Sequence, residues 1–216
     1  MSRRVEQVDE TRQRIVGAAV TLHGTVGPAR TTIAAIAEVA GVTRVTVYRH
    51  FPDEEALYGA CSAHWLSRQQ VPDPSAWADI EQPLERLRFG LLDLYRFYRD
   101  GSGMLTGIYR DWDALPAGQR QGLGEQNLSF RRALREPFVA ASAPGVLDAV
   151  IGHAVSFWTW HSLNLDNGLS NEEAVTLMVE LAASVTARDS SGVEPAGRTR
   201  ADGRGARPEG LELPTF

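Results

Sequence analysis

The chain has 216 residues, of which 43% are hydrophobic and 23% charged, so it can bury a sizeable core in one or two domains. Its formal net charge is −5, its single cysteine is Cys61, and it has no uninterrupted apolar run long enough to cross a membrane. An intrachain disulfide is therefore excluded, and a membrane span and an N-terminal export segment are not expected; we expect a cytoplasmic protein.

The charge is unevenly distributed. Residues 1–51 hold seven arginines against four acidic residues, a balance of +3, whereas residues 52–216 carry −8. A polyanion would be attracted to the N-terminal segment and repelled by the remainder, which favours one docking orientation.

The first predicted helix covers residues 9–23. Apolar side chains at Ile15, Ala18, Ala19 and Leu22 follow the spacing of one helical face. Glycines and a proline at residues 24–28 end the helix and form a loop.

Residues 31–51, TTIAAIAEVAGVTRVTVYRHF, predict two short helices joined by a tight turn. Thr32 is placed to cap the first helix, whose apolar stripe runs from Ile33 to Ala40. Gly41 can adopt the left-handed conformation that ends a helix, and Thr43 can cap the next one. The pattern is that of a helix-turn-helix.

The second of these helices has a polar outer face. Val47 and Phe51 lie four residues apart and are predicted to point inward. Arginine can donate two hydrogen bonds to a guanine, and hydroxyl or imidazole groups can bind phosphate, so this face suits the major groove of DNA. A solvated helix in an ordinary helical domain is the alternative. The outward residues are Arg44, Val45, Thr46, Tyr48, Arg49 and His50.

The segment AGVTRVTVYRHFPDEEAL closely resembles the DNA-binding segment of the TetR family of transcriptional regulators, and TRQRIVGAAVTLHGTVGPARTTI resembles the family's first helix and loop. The resemblance covers about residues 9 to 66. It implies a helix-turn-helix domain at 9–51 that binds a double-stranded DNA operator, followed by a helical domain for effector binding and dimerisation. The residues expected to contact DNA are Thr31, Thr32, Thr43, Arg44, Val45, Thr46, Tyr48, Arg49 and His50.

Residues 52–82 are predicted to connect the two parts. Acidic residues after Pro52 favour the start of a fourth helix, and three prolines within residues 71–83 indicate a joint. Residues 83–188 form the predicted C-terminal domain, with helices at 83–99, 104–115, 119–141 (kinked at Pro137), 146–165 and 171–188. The fold class is all-α, with about nine helices. In the helix at 83–99, the arginines Arg86, Arg88, Arg96 and Arg99 are expected largely on the outside.

Aromatic residues accompanied by a few polar groups suit a small-molecule cavity, with core packing as the alternative. The candidate cavity residues are Phe97, Tyr109, Trp112, His153, Trp158 and His161. The last two helices are apolar on more than one side, which favours a homodimer built on a four-helix bundle. The candidate interface residues are Gly152, Ser156, Trp160, Leu177 and Leu181.

Three functions are compatible with these patterns. The first is a dimeric repressor that an unknown small-molecule effector releases from a near-palindromic operator, associated with the nucleoid while bound; the second is a DNA-binding factor without an effector. The third is a helical enzyme or carrier using His153, His161, Asp111 and Asp113, but no metal-ligand, nucleophile or phosphate-loop spacing supports it. We therefore expect no catalytic residue, metal or cofactor. Residues 189–216 are expected to be a disordered tail.

Overall fold

The computed structural model describes residues 2–138 and 144–190, with side chains from residue 5 to residue 187 outside that gap. Within these ranges the chain is all-helical and contains no strand. The predicted tail lies almost wholly outside the described residues. The helices are α1 (Ser2–Thr25), α2 (Ile33–Ala40), α3 (Arg44–His50), α4 (Glu54–Leu66), α5 (Pro74–Ala78), α6 (Pro83–Asp100), α7 (Ser102–Arg110), α8 (Ala117–Arg135), α9 (Pro144–Ala154), α10 (Phe157–His161) and α11 (Asn171–Ser190).

The helix-turn-helix is set by short-range hydrogen bonds. The hydroxyl of Thr32 accepts from the backbone N–H of Ala35, and that of Thr43 accepts from the N–H of Thr46, both at 3.1 Å. Gly41, at φ 64° and ψ 40°, ends α2 in the left-handed region, as its sequence context predicts. The two caps and the turn predicted for residues 32–43 are confirmed.

A small apolar core holds α1, α2, α3 and the first half of α4 together. Ile15 and Ala19 of α1 pack with Ile36 of α2, and Val47 of α3 is completely buried among them. Leu57 of α4 completes the cluster. Burial of this one face leaves the opposite face of α3 free to contact other molecules.

The larger core is formed by α5 to α11. Its centre contains the predicted inner face of α6, including Leu87, Leu91 and Leu94, packed against α11 and the end of α8. Trp160 of α10 lies inside this core, and its indole N–H donates to Asn171 at 3.1 Å. Helices on several sides of α6 therefore bury its apolar face.

The stretch predicted as a joint contains a short helix that belongs to this core. Trp77 of α5 is completely buried, lies 5.6 Å from the Phe130 ring and donates from its indole N–H to Asp93 at 3.0 Å. Asp73 caps the helix by accepting from the N–H of Ser75 at 2.9 Å. Residues 73–78 are therefore fixed to the C-terminal part.

The prediction that Arg86 lies on the outside is wrong. Its side chain is buried and donates to the carbonyls of Ile80 and Ala78, at 2.7 and 2.9 Å, and it forms an ion pair with Glu136. These partners satisfy the hydrogen-bond donors of the buried guanidinium. They also connect the end of α5 and the residues after it to the end of α8.

The described residues form eleven α-helices rather than about nine. One addition is α5; the other arises because the predicted helix at 146–165 breaks at Ser156, which is extended at ψ 132°. The hydroxyl of Tyr95 donates to the carbonyl of Ala154 at 2.9 Å, and that of Tyr98 donates to the carbonyl of Val155 at 2.7 Å. Two tyrosines of α6 thus satisfy the carbonyls at the break.

Helix α8 ends close to Pro137, and α11 begins directly after Ser170. The helix predicted at 119–141 does not kink at Pro137: α8 ends at Arg135, before the proline. The predicted capping box of the last helix is confirmed, since the N–H of Ser170 donates to Glu173 at 2.8 Å and the N–H of Glu173 donates to the Ser170 hydroxyl at 3.2 Å. Over the described ranges, every helix is too short or too polar to cross a membrane.

Candidate functional site

The outer face of α3 presents large side chains to solvent. Arg44 and Arg49 are exposed, and Tyr48 and Val45 are 55% and 77% exposed. Neither arginine has a hydrogen bond or ion pair with another residue in the described ranges, so both guanidinium groups are available to an external anion. Such exposure of a valine and a tyrosine beside two exposed arginines suits contact with thymine methyl groups, base edges and phosphates.

The four threonines near this face differ in what their hydroxyls contact. Those of Thr32 and Thr43 are used as helix caps, and that of Thr31 donates to the carbonyl of Gly27 at 2.8 Å. The hydroxyls of Thr43 and Thr46 are 2.9 Å apart. Each threonine therefore has a structural contact in the unbound chain. His50 is half-buried at the end of α3.

A cavity of about 400 Å³ lies between the two cores. Its walls come from α1, α4, α6, α7 and α8, together with Leu115 before α8. This volume is within the range of small-molecule sites. Six aromatic residues contribute to the lining: Tyr58, Trp65, Phe97, Tyr98, Tyr109 and Phe130.

Polar groups are concentrated on three sides of this cavity. Tyr109 and Asn127 form a weak hydrogen bond, with the amide nitrogen 3.3 Å from the phenol oxygen. His23 of α1 stacks on Tyr58 of α4 at 4.6 Å between ring centroids. Within the described residues, the His23 ring and the Gln126 amide have no hydrogen-bond partner, so both are available to a ligand.

Burial in this setting lowers the pKa of His23 from 6.5 to about 4, so the ring is neutral at pH 7. The unfolded chain takes up a proton below pH 6.5 while the folded chain does not, so stability is complete above pH 6.5 and declines towards pH 4. We expect His23 to account for a loss of about 2 kcal/mol in the free energy of unfolding between pH 7.5 and pH 5.

Urea denaturation of the unaltered protein and of His23→Phe at both pH values measures this effect. The phenyl ring keeps the stacking on Tyr58 without titrating, so the variant should lose about 2 kcal/mol less than the unaltered protein on acidification. Equal losses in the two proteins would show that His23 does not remain neutral.

The predicted cavity residues fall in different places. Phe97 and Tyr109 line the cavity, and Trp112 stacks on Tyr109 at 6.2 Å without being part of the lining. The other three also lie outside the lining: His153 is exposed and contacts Thr159, Trp158 is 45% exposed, and His161 lies 3.5 Å from Asp166. The lining also contains His23, Tyr58, Ser62 and Trp65, which were not predicted as cavity residues. The apolar stripe of α4 is broader than the helix-turn-helix core requires, and this excess was the feature of the sequence that could have indicated a cavity beside α4.

The end of α7 is bonded to the loop that precedes α2 through Arg110 and Asp111, a pair that we call the Arg110–Asp111 clasp. Asp111 accepts from the N–H of Ala29 at 3.1 Å, and Arg110 donates to the carbonyl of Val26 at 3.2 Å and to Asp111 at 2.7 Å. Gly27 lies directly under this pair at φ 89°, and an added Cβ there would collide with the Arg110 guanidinium and the Asp111 carboxylate. The clasp therefore joins α7, which lines the cavity, to the start of the helix-turn-helix.

The predicted interface residues also differ in exposure. Leu177 and Leu181, one turn apart on α11, are 45% and 41% exposed. Gly152 and Ser156 are half-buried, and Trp160 is completely buried in the core of its own chain, where a partner cannot reach it. Trp158 and Leu165, at 45% and 53% exposure, are further large apolar side chains on the surface of this part.

Three of the four residues considered for an enzyme or carrier site have other partners. Asp111 binds Arg110 and Ala29, and the Arg110 contact lowers the pKa of the Asp111 carboxyl. His153 contacts Thr159, whereas His161 contacts Asp166. Among the described residues, no group of three or more histidine, cysteine or acidic side chains is arranged to hold a metal ion.

Known proteins share both the N-terminal sequence and the fold. Residues 15–61 match the tetR family of bacterial regulatory proteins. The chain is 47% identical over 92 residues to the HTH-type transcriptional regulator TtgR of Pseudomonas putida, a region covering 42% of this chain and 43% of TtgR. The match thus spans less than half the length of that relative.

Two solved structures extend the similarity over most of the chain. AibR, in complex with isovaleryl coenzyme A and operator DNA, has a TM-score of 0.59 at 22% identity, covering 79% of this chain and 97% of AibR. A tetR-family transcriptional regulator from Streptomyces coelicolor has a TM-score of 0.56 at 21% identity, covering 85% and 83%. The chain therefore carries the DNA-binding domain of the TetR family and has the fold of TetR-family regulators.

Proposed function

We propose that this chain is a transcriptional regulator that places α3 in the major groove of a DNA operator. The observation that carries the proposal is a pair of exposed arginines, Arg44 and Arg49, on the outer face of a helix-turn-helix whose inner face is packed. Neither has a partner within the part of the chain that the structure describes. Arg44, at the N-terminal end of α3, is suited to base contact, because the first residues of a recognition helix meet base edges. The relatives, which are transcriptional regulators, support the same role.

The working unit in this proposal is a homodimer. Leu177 and Leu181 form an exposed apolar stripe on α11, and Trp158 and Leu165 add apolar surface nearby in sequence. Burial of such a surface against a second copy is favourable, and a two-fold axis makes each copy offer the same patch. Two α3 helices related by that axis would read the two halves of a near-palindromic operator.

We further propose that a small molecule in the cavity releases the DNA. Helix α4 contributes to both cores and to the cavity wall. Leu57 and Cys61 pack in the helix-turn-helix core, whereas Trp65 packs against the C-terminal core. Cys61 and Trp65 also line the cavity. A ligand that displaces α4 or α7 thus has two routes to the DNA-binding unit, through α4 itself and through the Arg110–Asp111 clasp.

Gly122 offers a position at the edge of the cavity where an added ring can narrow it without displacing its walls. An added Cβ at Gly122 meets nothing within 4 Å, and Gly122 lines the cavity. Gly124 on the same helix also has open space at its Cβ but does not line the cavity, so Gly124→Phe is a matched control. Both substitutions replace a helical glycine and are expected to be tolerated.

We expect Gly122→Phe to bind DNA with the affinity of the unaltered protein and to resist release by any small molecule that releases the unaltered protein. Gly124→Phe should be released normally. Fluorescence anisotropy on labelled duplexes from the DNA flanking the gene, with a panel of aromatic and lipophilic compounds at fixed salt, measures both properties. If an active compound releases all three proteins equally, it does not act through this cavity; if no compound acts, an effector-independent regulator is favoured.

A further inference from the structure

We propose that the cavity between the two cores binds an uncharged, aromatic small molecule that carries a hydrogen-bonding group. This inference names the ligand class for the cavity and rests on the proposed function only for the consequence of binding, not for binding itself. Three properties of the lining lead to it: its charge, its aromatic content and its unsatisfied polar groups.

The lining carries no fixed charge. Among the described residues that form the walls, none is aspartate, glutamate, lysine or arginine. The carboxylate of Glu55 accepts from the N–H of the lining residue Gly118 at 3.4 Å but is not part of the wall. The ionisable groups that α1 and α4 contribute to the lining are His23, Tyr58 and Cys61. All three are uncharged at neutral pH, because burial lowers the pKa of His23 to about 4 and raises the pKa of Tyr58 and of Cys61 to about 12. A charged ligand would lose its hydration here without gaining a counter-ion.

The shape and chemistry of the walls favour an aromatic ligand. Trp65 lies edge-on to Phe97 at 5.7 Å, and His23 stacks on Tyr58 at 4.6 Å, so flat rings face the space from α1, α4 and α6. Tyr109 and Phe130 continue the aromatic surface onto α7 and α8. Aromatic rings gain additional stabilisation from offset or edge contacts with one another, so a flat ring matches this lining better than an aliphatic chain does.

The polar groups of the lining can form one or two hydrogen bonds with a bound ligand. The Gln126 amide and the His23 ring lack a partner in the described part of the chain, and the contact between Asn127 and Tyr109 is long, at 3.3 Å. Amide groups can both donate and accept, and a neutral imidazole can do the same. A hydroxyl, amine or carbonyl on the ligand would satisfy these groups, and an unsatisfied buried polar group is costly.

The same reasoning argues against a coenzyme A thioester. AibR, which shares the fold, is known in complex with isovaleryl coenzyme A. The phosphates of coenzyme A require cationic side chains or backbone N–H groups, and the walls of this cavity hold no arginine or lysine. The shared fold therefore does not imply a shared ligand.

A charge-matched pair of fluorescent probes tests the proposal directly. N-phenyl-1-naphthylamine is neutral, and 1-anilinonaphthalene-8-sulfonate is the same ring system with one negative charge. Titrated into the full chain without DNA at pH 7.5, the neutral probe should bind with a dissociation constant at least tenfold lower than the sulfonate. Gly122→Phe should weaken binding of the neutral probe at least tenfold, whereas Gly124→Phe should leave it unchanged.

A second variant reverses the selectivity. Gln126→Arg places a cation on the wall, and we expect it to improve binding of the sulfonate at least fivefold while weakening that of the neutral probe. Equal affinity for both probes at the Gly122-sensitive site, no binding of the neutral probe, or its displacement by isovaleryl coenzyme A would overturn the proposal. If the neutral probe binds as expected but leaves DNA affinity unchanged, the ligand class is supported and the effector role in the proposed function fails.

Discussion

Replacement of Trp77 by alanine is expected to lower the free energy of unfolding by about 3 to 5 kcal/mol, the largest effect of any single change considered. The indole is completely buried, touches the Phe130 ring and is close enough to Gly90 that an added Cβ there would lie 3.1 Å from it. Alanine would leave a cavity beside α6 and would also remove the hydrogen bond to Asp93. Urea denaturation followed by circular dichroism measures the loss.

The matched control is Phe89→Ala on α6. Phe89 is 48% exposed, so removal of its ring is expected to change the free energy of unfolding by only about 0.5 kcal/mol. A Trp77→Ala protein as stable as this control would show that residues 73–78 are a loose joint, as the prolines of that stretch first indicated, and not part of the core.

Replacement of Arg44 by alanine is expected to weaken binding to a specific operator by about 1 to 3 kcal/mol and to relax the preference for one base pair. Arg44 is exposed and without a partner in the described residues, so the helix should fold as before and the effect should fall on DNA alone. Anisotropy titrations against the operator and against copies altered at single base pairs separate a base contact from a phosphate contact.

Arg132→Ala on α8 provides the control, because Arg132 is an exposed arginine outside the proposed DNA-binding face. It should retain the operator affinity of the unaltered protein. An Arg44→Ala protein with a uniformly reduced affinity for all duplexes would assign Arg44 to the phosphate backbone, and one with unchanged affinity would remove it from the DNA-binding face.

The helix-turn-helix could be predicted from the sequence because its determinants are local. The caps at Thr32 and Thr43 bond to residues three positions away, and Gly41 ends a helix through its own backbone conformation. Each is visible within a window of about four residues. The inner face of α6 was predictable for the same reason, since its apolar spacing repeats along a single helix.

Other features depend on partners distant in sequence. Arg86 was expected outside, but its ion-pair partner Glu136 lies 50 residues away, directly after α8. The break at Ser156 is satisfied by Tyr95 and Tyr98, more than 50 residues earlier. The sequence of residues 146–165 contains nothing that indicates hydrogen bonds from those two hydroxyls. It therefore predicted a continuous helix.

The cavity was harder to predict than either core. A cavity is the space that five helices leave between them, and an apolar side chain facing such a space has the same spacing as one that packs tightly. Phe97 and Tyr109 could be predicted because aromatic residues commonly line small-molecule cavities. The position of His23 in the wall depends instead on the close packing of α7 on α1 beside Gly107, which lies far from His23 in sequence.

The most direct test of the central claim measures the dissociation constants of the unaltered protein for duplexes enriched from a random DNA pool and for shuffled copies of them, at two salt concentrations. Binding by α3 predicts an enriched near-palindromic sequence bound at least a thousandfold more tightly than its shuffled copy, with affinity falling as salt rises. Equal, weak binding to both duplexes at every salt concentration would contradict the assignment of this face to operator DNA.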